Sequence, residues 1–248
     1  MFEPRVALAS LSGEADASWA RAVESHVGCA FLGGIALDGA TRDAARAMTD
    51  RDRSEFLPED PVAFIDGQLD ALAGAPLRPA FNVRSATIAP VERAAAVCQR
   101  HGAIVEINAH CRQDEMCAAG AGESLLRERD RLAEFVSAAA ATGATVSVKG
   151  RAELAGVSLP DVARTIEAAG GDVFHVDAMD SESVVADVAD ATDLFVVANN
   201  GVRGRETAEE YLGYGADAVS VGRPSDKPEI LRAVRAGTDE WFASEVSP

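Results

Sequence analysis

Ala103-Ile104-Val105-Glu106-Ile107-Asn108-Ala109-His110-Cys111-Arg112-Gln113-Asp114-Glu115-Met116-Cys117-Ala118-Ala119-Gly120-Ala121-Gly122-Glu123-Ser124-Leu125-Leu126 carries one structural unit in a single run. An apolar strand, Ala103 to Ile107, opens directly into Asn108, His110 and Cys111. The chain then passes through small residues and two glycines into a long amphipathic segment, Glu123–Ala141, that reads as a helix. Polar, reactive side chains at the exit of a strand, followed by glycines that let backbone approach a ligand, are how catalytic loops on barrel strands are built.

The same unit repeats along the chain. Apolar runs fall at Arg5–Ala9, Ala30–Leu32, Pro79–Val83, Ala103–Ile107, Thr145–Val148, Val173–Val176, Leu194–Ala198 and Ala218–Val221. Helical patterns lie between them, including Val62–Ala73, Pro90–Arg100, Leu159–Ala169, Glu182–Ala189 and Arg205–Gly213. Eight βα units in 248 residues predict a single (β/α)8 TIM barrel of the α/β class, spanning residues 1–248 as one domain. A doubly wound open sheet would show a GxGxxG turn after its first strand, and Leu11-Ser12-Gly13-Glu14-Ala15-Asp16 lacks that spacing. The Asp- and Arg-rich Thr49-Asp50-Arg51-Asp52-Arg53 reads as a solvated helix end rather than a lid.

Composition narrows the setting. The net charge is -17, and Lys149 and Lys227 are the only lysines. Arginine in place of lysine on an acidic chain is the bias of proteins that work in concentrated salt. At ~1 M salt the Debye length is about 3 Å, so the charge does not exclude a nucleic-acid substrate. No apolar run reaches the roughly 18 residues of a membrane span, and Met1-Phe2-Glu3-Pro4-Arg5 is not a signal peptide, so a cytoplasmic protein is expected. Cys29, Cys98, Cys111 and Cys117 lack paired CxxC spacing, and reduced thiols without a disulfide framework or a metal are expected.

If the strand C-termini form the active face, the polar residues there are candidates as a group: Ser10, Asn82, Asn108, Cys111, Lys149, Arg151, Asp177, Asn199, Asn200, Gly222 and Arg223. Lys149 at a strand end reads as a Schiff-base lysine, as a cation holding an electron-rich cofactor ring, or as a surface lysine. Arg151 favours an anionic ligand, with a salt bridge to Glu153 as the structural alternative. Asn199-Asn200-Gly201 and Gly222-Arg223 follow the seventh and eighth strands, where barrels commonly bind phosphate. Cys111 reads as a proton donor or nucleophile, or as a small buried apolar residue; Cys117, among alanines, reads as packing.

These residues resemble the tRNA-dihydrouridine synthase family of FMN-dependent barrels. Asn108, Cys111, Gly120, Gly122, Leu125 and Leu126 keep the spacing of its Asn-x-Gly-Cys-Pro motif and the glycine turn and Leu-Leu that follow. Lys149-Gly150-Arg151 matches its Lys-x-Arg, Gly215-Ala216-Asp217-Ala218 with Gly222-Arg223 matches its eighth-strand motif, and Leu8-Ala9-Ser10-Leu11-Ser12-Gly13 with Asp16 looks like its first-strand run. The resemblance implies FMN across the barrel mouth. Its phosphate would lie on Asn200-Gly201 and Gly222-Arg223, its ring would meet Lys149, Asn82 and Asp177, and NAD(P)H would be the electron donor. It implies that Cys111 protonates C5 of a uracil ring while hydride reaches C6, with Asn108 and Arg151 on the substrate.

The chain departs from that pattern at His110 and Arg112, which flank Cys111 in place of Gly and Pro, and at Asp177, where the family carries a histidine. It also stops soon after the eighth strand, so the family's helical tRNA-gripping domain is not expected. Uridine in tRNA is the leading substrate. The alternatives are a free small-molecule pyrimidine, handled as in a dihydroorotate-dehydrogenase-like flavin enzyme, and a non-redox barrel that binds a phosphorylated ligand.

Overall fold

The apolar runs become the eight parallel strands of a closed barrel in the computed structural model, which describes residues 1–245. In chain order the strands are β1 (Val6–Leu8), β2 (Cys29–Ala36), β3 (Arg78–Arg84), β4 (Ile104–Ala109), β5 (Thr145–Arg151), β6 (Val173–Asp177), β7 (Phe195–Asn199) and β8 (Ala218–Val221). Each pairs with the next, and β8 returns to β1 through Val6↔Val219 and Leu8↔Val221, so no sheet edge is left open. The helices are α1 (Ala17–Ala22), α2 (Gly39–Thr49), α3 (Pro61–Ala71), α4 (Ile88–Arg100), α5 (Asp114–Ala118), α6 (Ser124–Arg127), α7 (Arg129–Ala140), α8 (Leu159–Ala168), α9 (Val184–Ala189), α10 (Arg205–Gly213) and α11 (Pro228–Glu245). None of the described helices is long and apolar enough to cross a membrane.

Every predicted strand falls on an observed one, and the differences lie at the C-terminal ends. β4 runs on to Ala109 and β5 to Arg151, so Asn108, Lys149 and Arg151 sit in the barrel wall rather than in mobile loops. That makes their positions rigid. β2 continues through Gly33 and Gly34, with a register shift against β3 between Gly33 and Ile35. The segment predicted as one helix, Glu123–Ala141, is two, broken at Glu128 (φ -108°, ψ 63°). Helix α2 opens on a capping box of Asp38 and Thr41, and it ends at Thr49, so the Asp/Arg-rich stretch does follow a helix end. Its continuation, Asp52 to Ser54, reaches the barrel mouth.

Side chains alternate in and out along each strand. In β4, Val105 and Ile107 join the large apolar shell between strands and helices, whereas Ile104 packs in the interior and Glu106 faces polar groups there. The lower interior is a dry plug of Phe2, Ala7, Cys29, Phe31, Ala80, Ile104, Val173, Val197 and Ala218. Phe31 meets the His175 ring at 4.8 Å, and above that contact the interior becomes polar.

Candidate active site

Strand register builds the polar interior. Asn82, Glu106 and Ser147 are neighbours across β3, β4 and β5; Asn108, Lys149 and His175 across β4, β5 and β6; Arg151, Asp177, Asn199 and Ser220 across β5 to β8.

Glu106 is the hub of the buried layer. Its carboxylate accepts Asn82 Nδ2 at 2.7 Å and Ser147 Oγ at 3.0 Å, and it meets His175 Nδ1 at 2.7 Å. His175 Nε2 lies 2.8 Å from Ser220 Oγ. Burial raises the Glu106 pKa, but His175, Lys149 and Asn82 outweigh it and hold the carboxyl below its ordinary value. Burial and the Lys149 charge push His175 down, against Glu106, toward the neutral imidazole. Lys149 is 2% exposed. Its ammonium makes no hydrogen bond or ion pair among the described residues; burial pulls its pKa down and the charges of Glu106 and Asp177 offset part of that. A buried cation without a direct partner is a costly arrangement that a bound anionic group would relieve.

The loop after β4 is pinned by one amide. Asn108 Nδ2 donates to Asn82 Oδ1 at 2.9 Å, and Asn108 Oδ1 accepts the backbone N–H of His110 at 3.2 Å and of Cys111 at 2.9 Å. The Cys111 carbonyl then accepts Glu123 N–H at 2.9 Å. Gly122 has φ +64°, and a Cβ there would sit 2.2 Å from the Cys111 oxygen, which is why a glycine stands at this point. Gly122→Ala should therefore displace the Cys111 loop and cost about 1–3 kcal/mol of stability, read as a lowered midpoint in thermal unfolding. A parental midpoint would mean that the loop has slack the geometry does not show. Cys111 presents one side to the barrel mouth and packs the other on Ala44, Met48, Met116 and Ala121. Cys117 Sγ touches only the backbone of this loop, at 3.5 Å from the Cys111 carbonyl, and burial raises its pKa.

Two of the unusual positions meet each other. His110 Nε2 is 3.1 Å from Asp177 Oδ2. Asp177 also accepts Asn200 Nδ2 at 3.1 Å, so its carboxylate ties the β4 loop to the β7 loop. Burial raises the Asp177 pKa, but the hydrogen bond from His110 and the nearby Lys149 charge bring it down to about 2. Burial holds His110 below its ordinary value, and its Nδ1 is buried without a partner. An imidazole thus enters this cavity from the β4 loop, where the resemblance placed one after β6.

Arg151 does not pair with Glu153. Its Nη1 donates to Glu123 at 2.7 Å across the loop, Glu153 takes the Ser181 hydroxyl at 2.8 Å, and Arg151 Nε is buried with no partner. After β7, Asn199 Nδ2 donates to the Ser220 carbonyl at 3.1 Å, while Asn200 (φ +88°) and Gly201 (φ +68°) are in the left-handed region. A Cβ added at Gly201 or Gly222 would meet no protein atom within 4 Å. The space they leave belongs to the cavity.

That cavity has a volume of about 680 Å³, in the range of cofactor and substrate pockets. It is lined by Ser10, Asn108, Cys111, Lys149, Arg151, Asp177, Asn199, Asn200, Gly201, Gly222 and Arg223, all singled out from the sequence. Asn82 does not line it; this fully buried amide lies beneath and acts through Asn108 and Glu106. Glu106, His175, Ser147 and Ser220 were not singled out. Their signal was a polar residue at every second position of an otherwise apolar strand, Glu106 with Asn108 and His175 with Asp177. An unpaired ammonium, an orphaned arginine nitrogen and glycines that leave room at two strand exits fit an anionic, phosphate-bearing cofactor.

Comparison with known proteins agrees with this arrangement. Residues 81–245 match the family model described as Dihydrouridine synthase (Dus). An uncharacterized protein of Methanocaldococcus jannaschii, MJ0144, is 28% identical over 254 residues, covering 97% of this chain and 93% of its own length. Among solved structures, a tryptophan synthase complex from Pyrococcus furiosus superimposes with a TM-score of 0.61 at 13% identity, covering 96% of this chain and 100% of that one. A FabK mutant from Thermotoga maritima gives 0.60 at 14% identity and covers 90% of this chain, which spans 63% of that one's length. At such identities the two structures share the barrel fold with this chain and nothing finer.

Proposed function

The chain belongs to the dihydrouridine synthase family, and from that premise we propose that it is an FMN-dependent oxidoreductase that reduces the C5–C6 double bond of uridine in tRNA. The observation that carries the reading is that Cys111, on a loop pinned by Asn108, and the unpaired Lys149 ammonium line one cavity whose far wall is open at Gly201 and Gly222.

When bound, FMN supplies the hydride that adds to C6 of the pyrimidine, and NAD(P)H restores it. The backbone at Gly201 and Gly222, with Arg223 and the amide of Asn200, would hold its phosphate. Lys149 would face the ring, where a fixed cation stabilises negative charge, and Ser10, Asn199 and Asp177 would line its edge. Asn82 would keep Asn108 in place from below. Asn108 would contribute its remaining N–H to the base, and Arg151 its spare N–H groups. Cys111 would give its proton to C5. A thiol suits this role because at an ordinary pKa near 8.5 it holds a proton at neutral pH.

The placement of the cofactor is tested at Gly222. A valine there meets no protein neighbour, so the fold should survive while the phosphate loses its backbone contact. Gly222→Val should weaken FMN binding by about 10- to 100-fold, the worth of one charge-assisted hydrogen bond. A fluorescence titration that returns the parental affinity would move the cofactor elsewhere. The substrate is tested by mass spectrometry of tRNA from a deletion strain, in which dihydrouridine at one or more positions should be missing. Unchanged tRNA would turn attention to a free pyrimidine.

A further inference from the structure

We propose that Arg84 is a second catalytic group of this site, a buried guanidinium that receives the charge left on Cys111 when its thiol gives up a proton. The inference rests on the reading of Cys111 as proton donor. Arg84 ends β3 and its side chain is 1% exposed. Glu55, on the segment after α2, grips it through both carboxylate oxygens, Nη1 at 3.2 Å and Nη2 closer still, and Nη2 also donates to the Gly34 carbonyl. The group is therefore fixed and its charge paired, as burial requires. Its Nε–H is buried and has no partner.

The Cys111 thiol lies beside the same guanidinium, close enough for charge and hydrogen bonding to act between them. Burial alone pulls the Arg84 pKa down; Glu55 and then Cys111 outweigh it and leave it raised. Arg84 thus touches the reacting sulfur from the side opposite solvent.

A neutral thiol is a weak acceptor, so an N–H beside it gains little. A thiolate is a strong one. The contact therefore strengthens as the S–H bond breaks, which is the condition for lowering a barrier rather than merely tightening a resting state. The step balances: the S–H bond breaks, the C5–H bond forms, and the bonding pair stays on sulfur. Hydride delivered to C6 by the reduced flavin supplies both electrons, and the thiolate later takes a proton from water. Arg84 changes neither its protonation nor its partners other than through Nε.

The test separates this contact from the assignment of Cys111. In a Cys117→Ala background, with Cys29 and Cys98 buried, iodoacetamide reports the thiolate of Cys111. Arg84→Met with Glu55→Gln removes both charges of the pair and should slow alkylation and pyrimidine reduction by about tenfold, the effect of losing one facing opposite charge. Arg84→Lys, which keeps the cation and the partner but not the planar fork, should fall between that protein and the parent. Flavin reduction by NAD(P)H should be parental in both. Equal rates in parent and both variants overturn the proposal, and so does a lysine variant as slow as the double variant, because a merely structural arginine would not be rescued by charge. Should Cys111→Ala reduce pyrimidine as fast as the parent, the reading of Cys111 fails instead, while the alkylation result still decides whether Arg84 holds its thiolate.

Discussion

Replacing Cys111 by alanine is expected to slow the oxidative half-reaction with a pyrimidine substrate by roughly 10²–10⁴-fold, the range for loss of a positioned proton donor. Flavin reduction should continue at the parental rate, since no cysteine takes part in it. The reason lies in how the loop is held. One amide, Asn108, fixes the backbone of His110 and Cys111, and Gly122 lets the next segment close over the Cys111 carbonyl. Cys117 lies on α5 and touches only that loop's backbone, so Cys117→Ala should leave both half-reactions near the parental rate. Stopped-flow comparison of the two variants decides the matter: if Cys117→Ala is the slower in the oxidative step, or both match the parent, Cys111 is not the acid.

The largest effect on stability is expected at Glu106. Its carboxylate serves Asn82, Ser147 and His175 and faces the Lys149 charge, all in the closed interior of the barrel. Glu106→Leu would leave three polar groups and one buried cation without their acceptor, and removing one member of a buried charged cluster costs about 3–5 kcal/mol. Glu106→Gln, which keeps the shape and one acceptor oxygen, should cost less. Urea unfolding of the two variants measures this directly. A leucine variant within about 1 kcal/mol of the parent would show that the layer relaxes around the loss or admits water.

Much of this arrangement was legible in the sequence because strands and their exits are local features. Eight apolar runs separated by Ala-, Glu- and Arg-rich segments predicted eight parallel strands, and polar residues at their C-terminal ends came together around one cavity because a barrel brings all strand ends to one rim. Gly33 and Gly34 read as breakers, yet β2 runs through them with a shifted register, since only its pairing with β3 shows that a bulge is tolerated there. What was not legible is long-range. Arg151 had an acidic neighbour two residues on, but a strand sends alternate side chains to opposite faces, and its partner is Glu123. The meeting of His110 with Asp177, and of Arg84 with Glu55, depends on how loops from different strands lean over the mouth, which no local pattern encodes.

The two-layer interior also sets terms for anyone who would rebuild this barrel for another reaction. Phe2, Phe31 and Ile104 form a foundation that touches no reacting group, and only the Phe31–His175 contact joins it to the chemistry above. Randomising the rim and the polar layer while the foundation stays untouched is the library this architecture invites, with His175 as the position where the choice of a new active site begins to be paid in foldability.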